Sequence, residues 1–266
     1  MKRREFLKSS AAAALGLGAG TLPIRAAGNL EKDLLELRTY HFAEEEKRLA
    51  FERFLARAAV PALNRVGVRP VGAWKLLKED NPKLAEVPLD IYVLLPHKSM
   101  ESVLTLIDRL AEDPWFVSEA ESIIAAPPSD PAYTRFESAL LLAFDGFPRV
   151  QVPTLSGSRL AQLRIYESPT DERALAKIDM FNNGGELDIF KKTGLTPVFF
   201  GQRLIGSGMP NLTYMLSFPD KAAMQKAWRA FGRHPDWRRL SKDPQYADTV
   251  SHITNLVLRP CAGSQI

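Results

Sequence analysis

Leu37-Arg38-Thr39-Tyr40 returns 126 positions later as Leu163-Arg164-Ile165-Tyr166, and three further landmarks follow each copy in the same order. After the first come Gly67-Val68-Arg69-Pro70-Val71, Asp90-Ile91-Tyr92-Val93-Leu94 and Asp113-Pro114-Trp115. After the second come Gly194-Leu195-Thr196-Pro197-Val198, Leu212-Thr213-Tyr214-Met215-Leu216 and His234-Pro235-Asp236-Trp237. Their offsets are 127, 122 and 121. So small a drift over four landmarks marks one unit written twice, and internal repetition constrains architecture before any single element does.

Outward from the quoted strand, residues 162–166 alternate Leu163 and Ile165 with Gln162, Arg164 and Tyr166, the period of a strand with one apolar face. Ser168-Pro169-Thr170-Asp171-Glu172 supplies cap, early proline and first-turn acids for a helix through Ala174, Leu175, Ile178 and Phe181. Asn182-Asn183-Gly184-Gly185 interrupts it; helix resumes over 186–193, with Gly194 at the position of a left-handed cap. Strands are expected over 197–205 and 211–218, joined by Gly206-Ser207-Gly208-Met209-Pro210, then helices over 221–231 and 235–240 and a closing strand over 252–259. The first copy reads as strand 35–40, helix 44–59 with a break at Pro61, strands 71–77 and 90–95, a helix capped by Ser99 through Leu104, Ile107 and Leu110, and strand 136–144. Both copies are therefore β-α-β-β-α-β, the split ferredoxin-like motif.

The fold class is α+β, with two tandem ferredoxin-like domains over 33–146 and 158–266. Each sheet carries helices on one face, and its bare face must find cover. Packing the two bare faces sheet to sheet makes an eight-stranded barrel inside one chain. On this reading Arg38, Tyr40, Arg164 and Tyr166, with Glu36 and Gln162, occupy the faces where the halves meet.

Residues 1–27 stand apart from the repeats. Lys2-Arg3-Arg4-Glu5-Phe6-Leu7-Lys8 is a basic start with paired arginines, followed by an uncharged Ala/Leu/Gly stretch and Arg25-Ala26-Ala27. This order predicts a cleaved export signal of the twin-arginine type and a periplasmic or secreted mature chain, with no stable membrane insertion after cleavage. Removing it takes away five of 35 basic and one of 31 acidic residues, leaving 30 of each. An electrically balanced mature chain lacks the basic surface that nucleic acid demands. Arg229, Arg233, Arg238, Arg239 and Lys242 read as a solvated helical face. The lone Cys261 rules out an intramolecular disulfide, so stability rests on core packing.

The Leu-Arg-x-Tyr strand, the Gly-x-x-Pro-Val turn and the Pro-Trp helix start together resemble the NIPSNAP family of the dimeric α+β barrel superfamily. The likeness runs over nearly all of 33–266 and is strongest in Met180-Phe181-Asn182-Asn183-Gly184-Gly185-Glu186, Pro197-Val198-Phe199-Phe200-Gly201, Met209-Pro210-Asn211-Leu212-Thr213-Tyr214-Met215 and Ser264-Gln265-Ile266. It implies the barrel, in the manner of exported bacterial proteins with two such domains, and carries over no catalytic residue.

Two readings accompany each candidate residue. Arg38, Tyr40, Arg164 and Tyr166 form either an anion-orienting, phenol-bearing pocket or a hydrogen-bonded network locking the sheets, because buried guanidinium needs partners. Asn182 and Asn183, before two glycines where a helix restarts, suit anion or carbonyl binding or else a kink. Asn211 and Tyr214 line the same space, or Asn211 serves the hairpin turn. Trp74, Trp115, Trp228 and Trp237 read as core packing or as walls of a cavity between sheet and helices. His41, His97, His234 and His252 form no metal-ligand spacing, and Ala143-Phe144-Asp145-Gly146 lacks the leading glycine of the dye-decolourising peroxidase motif. No metal site and no cofactor are expected.

The sequence thus points to a small-molecule binding module with its pocket in the second domain, the half that carries the amide-glycine segment. Alternatives are a cofactor-independent oxygenase or isomerase using Tyr166, Arg164 or His41 for proton transfer or charge stabilisation, a haem-binding protein, and a structural subunit for another exported protein. The expected partner is a small molecule, with no nucleic acid; a homo-oligomer is compatible with the fold. Whether the chain is an enzyme stays open at this point.

Overall fold

The computed structural model describes residues 32–266; the expected export segment lies outside them. The strands are β1 (Leu34–His41), β2 (Gly72–Leu76), β3 (Ile91–His97), β4 (Arg135–Ala143), β5 (Leu160–Glu167), β6 (Pro197–Ile205), β7 (Asn211–Phe218) and β8 (His252–Pro260). They close into a mixed α/β fold around an antiparallel barrel in the order β1-β3-β2-β8-β5-β7-β6-β4. The order β4-β1-β3-β2 in the first half therefore matches β8-β5-β7-β6 in the second. Closure comes from backbone pairing at both seams, Trp74 opposite Pro260 between β2 and β8, and Ala143 opposite Gly201 between β4 and β6. Among the described residues no strand edge is left to template further pairing.

The barrel interior is filled by the odd residues of β1 and β5, Leu35, Leu37, Ala161 and Leu163, with Trp74, Leu94, Leu141, Phe199, Met215 and Leu258. At Gly201 the sheets come so close that an added Cβ would lie 2.9 Å from that of Leu141. Ile266 is buried in this same cluster, at the end of the barrel where β1 and β5 begin.

The even residues of β1 and β5 point the other way, toward the helices. This corrects the expectation that Arg38, Tyr40, Arg164 and Tyr166 lie where the halves meet: Tyr40 packs among the helices of the first half and Tyr166 among those of the second. Alternation separates two faces of a strand without saying which is inside, and here the apolar odd residues Leu35, Leu37, Ala161 and Leu163 fill the barrel. The polar even set is tolerated beneath helices because its members pair with one another.

Helices on the outside are α1 (Glu45–Phe54), α2 (Val60–Arg65), α3 (Met100–Leu104), α4 (Leu106–Ala111), α5 (Pro114–Ile124), α6 (Asp171–Asn182), α7 (Glu186–Thr193), α8 (Lys221–Arg233) and α9 (Pro235–Leu240). Their starts follow the expected capping chemistry: the side chains of Ser99, Thr170 and Asp220 accept from the backbone N–H groups of Ser102, Arg173 and Ala223. Gly194 takes the left-handed conformation, φ 78°, that ends α7. Pro61 does not break its helix. Leu55–Ala59 widens to a π-turn in which Val60 N–H reaches Leu55 O, and the helix runs on through Pro61 to Arg65. A proline's missing N–H and its clash with the preceding turn are absorbed by that wider register.

Candidate functional site

On β1, Glu36, Arg38 and Tyr40 lie in a row on the helix side. Arg38 donates through Nε to Glu36 Oε1 at 2.6 Å and through Nη2 to Oε2 at 3.0 Å. Ser138 Oγ on β4 donates to the same carboxylate at 2.7 Å, and His97 Nε2 stands 3.4 Å away. Burial by itself would push the Glu36 carboxyl up; His97, Arg38 and Ser138 outweigh it and hold the group down at about 2. The third Arg38 nitrogen, Nη1, reaches Tyr40 Oη only at 3.4 Å. Burial raises the Tyr40 phenol above its ordinary value, against the nearby Arg38 charge, so it stays protonated near neutral pH.

Beyond Tyr40 the space between sheet and helices is open. The Tyr40 ring packs on Phe51 at 4.5 Å, Phe136 at 5.2 Å and Tyr133 at 5.3 Å between centroids. These rings, with Phe54, Leu63 and Val93, border a cavity of about 310 Å³ whose polar corner is Arg38. Ile107, Val117 and Ile124, all exposed, form its outer side. Exposed apolar residues at the rim of an apolar cavity mark a ligand entrance more readily than a packing surface.

The second half uses the corresponding place differently. Tyr166 and Tyr214 share a hydrogen bond of 2.9 Å, and Arg164 Nε donates to Tyr166 Oη at 3.2 Å. Arg164 lies 4.8 Å from the Trp228 ring, whose Nε1 donates to Gln162 Oε1 at 2.6 Å. Phe181, Phe190, Phe200 and Tyr214 then fill the interior with centroids 5.1 to 5.9 Å apart. Lys177 and Glu186, both buried, pair at 2.8 Å within this cluster. Burial pushes the Glu186 carboxyl up, opposed by Lys177, and burial raises the Tyr214 phenol well above its usual value.

The structure thus gathers Arg38 with Tyr40, and Arg164 with Tyr166 and Tyr214, in two separate places. Asn182 accepts from Gly146 N–H at 2.9 Å, and Asn183 donates to Asp179 at 2.6 Å. Asn211 donates across the hairpin to Gly208 O at 2.7 Å. Each of the three amides thus has a protein partner, Gly146, Asp179 and the hairpin carbonyls respectively. Gly184 and Gly185 border a polar surface hollow of about 300 Å³ with Asp188, Lys192, Asp236 and Arg239, while Asn182 and Asn183 do not line it. Asn211 borders a further hollow of about 250 Å³ with Leu175 and Met209. His41 faces the barrel interior, away from Tyr40.

Sequence reasoning overlooked His97, Ser138, Tyr133 and Phe136 around Arg38, and the Lys177–Glu186 pair. Lys177 carried a usable signal, since it stands three and four residues before Met180 and Phe181 and so shares their buried stripe.

A closed antiparallel barrel with helices on its outer face defines the class. The same fold occurs in a candidate monooxygenase from Fusobacterium nucleatum, 10% identical, with a TM-score of 0.56 over 86% of this chain and 93% of that one. A candidate monooxygenase from Lactobacillus acidophilus is 11% identical, with a TM-score of 0.56 over 86% and 94%. Within that class, residues 161–265 match the NIPSNAP family model. A NIPSNAP family protein with unknown function from Agrobacterium tumefaciens is 16% identical over 40% of this chain and 92% of its own, with a TM-score of 0.36. Comparison with functionally curated proteins finds no match.

Proposed function

We propose that this chain is a small-molecule binding module whose ligand occupies the sheet–helix cavity of the first half. The observation that carries this is the contrast between two equivalent places: an aromatic-walled cavity of about 310 Å³ ending at Arg38, and a second-half counterpart packed with rings. The expected pocket beside Arg164 and Tyr166 thus moves to the first half, because large side chains occupy the second. Arg38 commits Nε and one Nη2 hydrogen to Glu36, so the Nη1 end, whose contact with Tyr40 Oη is long at 3.4 Å, is the part of the guanidinium that meets a ligand acceptor. The matching ligand is a largely apolar or aromatic molecule with a single acceptor group.

The two halves are read as a duplicated ferredoxin-like NIPSNAP unit, in which one copy keeps a pocket and the other supplies packing. The repeated Leu-Arg-x-Tyr strand and matching strand orders support this. Residues 1–27 are read as a twin-arginine export signal, placing the mature chain in the periplasm or outside the cell. The cofactor-independent oxygenase reading draws on the shared fold alone. Behind the cavity's Arg38 the Glu36 carboxylate is tied up by Arg38 and Ser138, and the Tyr40 phenol on the wall is held protonated, so neither is poised as a base. For haem, the cavity wall offers no histidine among the described residues.

The neutral apolar probe N-phenyl-1-naphthylamine tests the site by fluorescence titration of the full mature chain. Ala59→Phe fills the cavity from its helix wall, and Ala111→Trp blocks its exposed rim with little demand on the core. Both variants are expected to abolish saturable probe binding while Phe190→Leu, in the other half, retains it. Unchanged binding in folded Ala59→Phe and Ala111→Trp refutes the assignment.

A further inference from the structure

The barrel interior is not filled from end to end. Where β1 and β5 finish, a second cavity of about 520 Å³ opens to solvent, floored by Leu37, Leu163 and Leu256 and walled by His41, Asp90 and Arg203. It lies on the opposite side of β1 from the ligand cavity of the first half, because His41 and Tyr40 are strand neighbours with opposite facing.

Two buried nitrogens at this mouth lack protein partners. Arg203 is only 9% exposed; its Nη1 donates to Ser207 O at 2.7 Å and its Nη2 to Thr213 Oγ1 at 3.4 Å, while Nε has no acceptor. No carboxylate among the described residues comes within 4 Å of that guanidinium. Glu167 and Glu137 offset part of the burial cost at longer range, but neither makes an ion pair with it, and a planar two-oxygen anion is the partner that a guanidinium's fork matches in direct contact. His41 Nδ1 bonds Asp90 at 2.8 Å, which fixes the ring, and Nε2 is buried without a hydrogen bond, 3.6 Å from Glu137 at the exposed rim. An oriented imidazole whose second nitrogen is unspent serves a ligand's polar group.

We propose that the barrel mouth binds a small organic carboxylate, with its anionic end on Arg203 and, in the doubly protonated imidazole, an oxygen accepting from His41 Nε2–H. The apolar floor favours a short aromatic or aliphatic body over a sugar or a polyanion. Glu137, half exposed and facing Arg135 at 3.7 Å, disfavours a second negative charge at the rim and so selects monocarboxylates.

Benzoate is the probe, with its neutral isostere benzamide and inorganic phosphate as controls, titrated into the full mature chain and followed by the side-chain nitrogen resonances of His41 and by thermal shift. Saturable movement of the His41 resonances with benzoate, and none with benzamide or phosphate, is expected. Arg203→Met is expected to weaken benzoate about 100-fold yet leave the ligand-free thermal midpoint unchanged or higher, because an apolar chain replaces a buried charge that has no carboxylate in direct contact. His41→Asn keeps a donor for Asp90, removes Nε2, and is expected to weaken benzoate about tenfold. The Ala59→Phe variant leaves all of this intact, so the two cavities succeed or fail separately. Equal responses to phosphate and benzoate, or benzoate binding unaffected by both Arg203→Met and His41→Asn, overturns the proposal.

Discussion

Replacing Glu36 by Gln isolates the polar corner of the first-half cavity. The carboxyl falls from an ordinary 4.5 to about 2 on folding, because the hydrogen bonds and charge around it outweigh its burial. At about 1.4 kcal/mol per tenfold change, this is worth on the order of 3 kcal/mol. The folded value is the lower one, so the contribution is complete above pH 4.5 and is lost as pH falls toward 2. Linkage puts the loss at about 0.8 kcal/mol by pH 4 and about 2 kcal/mol by pH 3. Near neutrality, Glu36→Gln leaves Arg38 without its carboxylate, at a cost of about 3–5 kcal/mol. Urea unfolding of wild type and variant at pH 6, 4 and 3 reads the gap between them, and charges elsewhere largely cancel. The gap should narrow by those amounts. A gap that stays constant from pH 6 to 3 would mean that Glu36 does not hold Arg38 as an ion pair, and the account of the polar corner would fail.

In the second half, Lys177→Met should cost about 3 kcal/mol at pH 7 by stranding buried Glu186. Glu186 has a raised folded pKa, so stability should recover as pH falls and the carboxyl protonates; a loss that deepens in acid refutes the sign. Phe181→Ala should cost about 4 kcal/mol in urea unfolding and create a new binding place for the naphthylamine probe, since Phe181 is fully buried among Phe190, Phe200 and Tyr214. Equal stability would show that the rings do not pack as described. Cys261 is buried, which pushes its thiol up to about 12, so Ellman's reagent should react only as fast as the chain unfolds; rapid native labelling contradicts that burial.

Legibility in the sequence followed local chemistry. Glu186–Thr193, Pro197–Ile205, Asn211–Phe218 and Pro235–Leu240 stand where the caps, glycines and alternation put them. In the first half, the expected helix over 99–110 splits at Thr105, and α5 went unread beyond its Pro114-Trp115 start. Its apolar residues Trp115, Val117 and Ile124 are exposed, which blurs the one-sided pattern by which a helix is recognised. That blurring is itself the trace of the cavity: Val117 and Ile124 point at a space that no core residue fills.

The side of a strand that carries function was the least legible feature, for a physical reason. In a closed barrel both faces of every strand are covered, so polarity no longer separates inside from outside. On β1, Arg38 is neutralised by Glu36 two residues away on the same face, and a strand can hide such a pair beneath helices as readily as within a barrel. His41 and Arg203 offer the converse case, polar residues on the interior face at the end of their strands, where only the closed ring of eight brings them to one mouth. The Leu-Arg-x-Tyr strand occurs twice, but the side chains around its two occurrences differ. Val93 and Leu95 on β3 leave room over Tyr40, whereas Phe200 and Tyr214 close the space around Tyr166. The asymmetry between an open first-half cavity and a filled second-half counterpart thus resides outside the repeated motif, in the bulk of residues that the copies do not share.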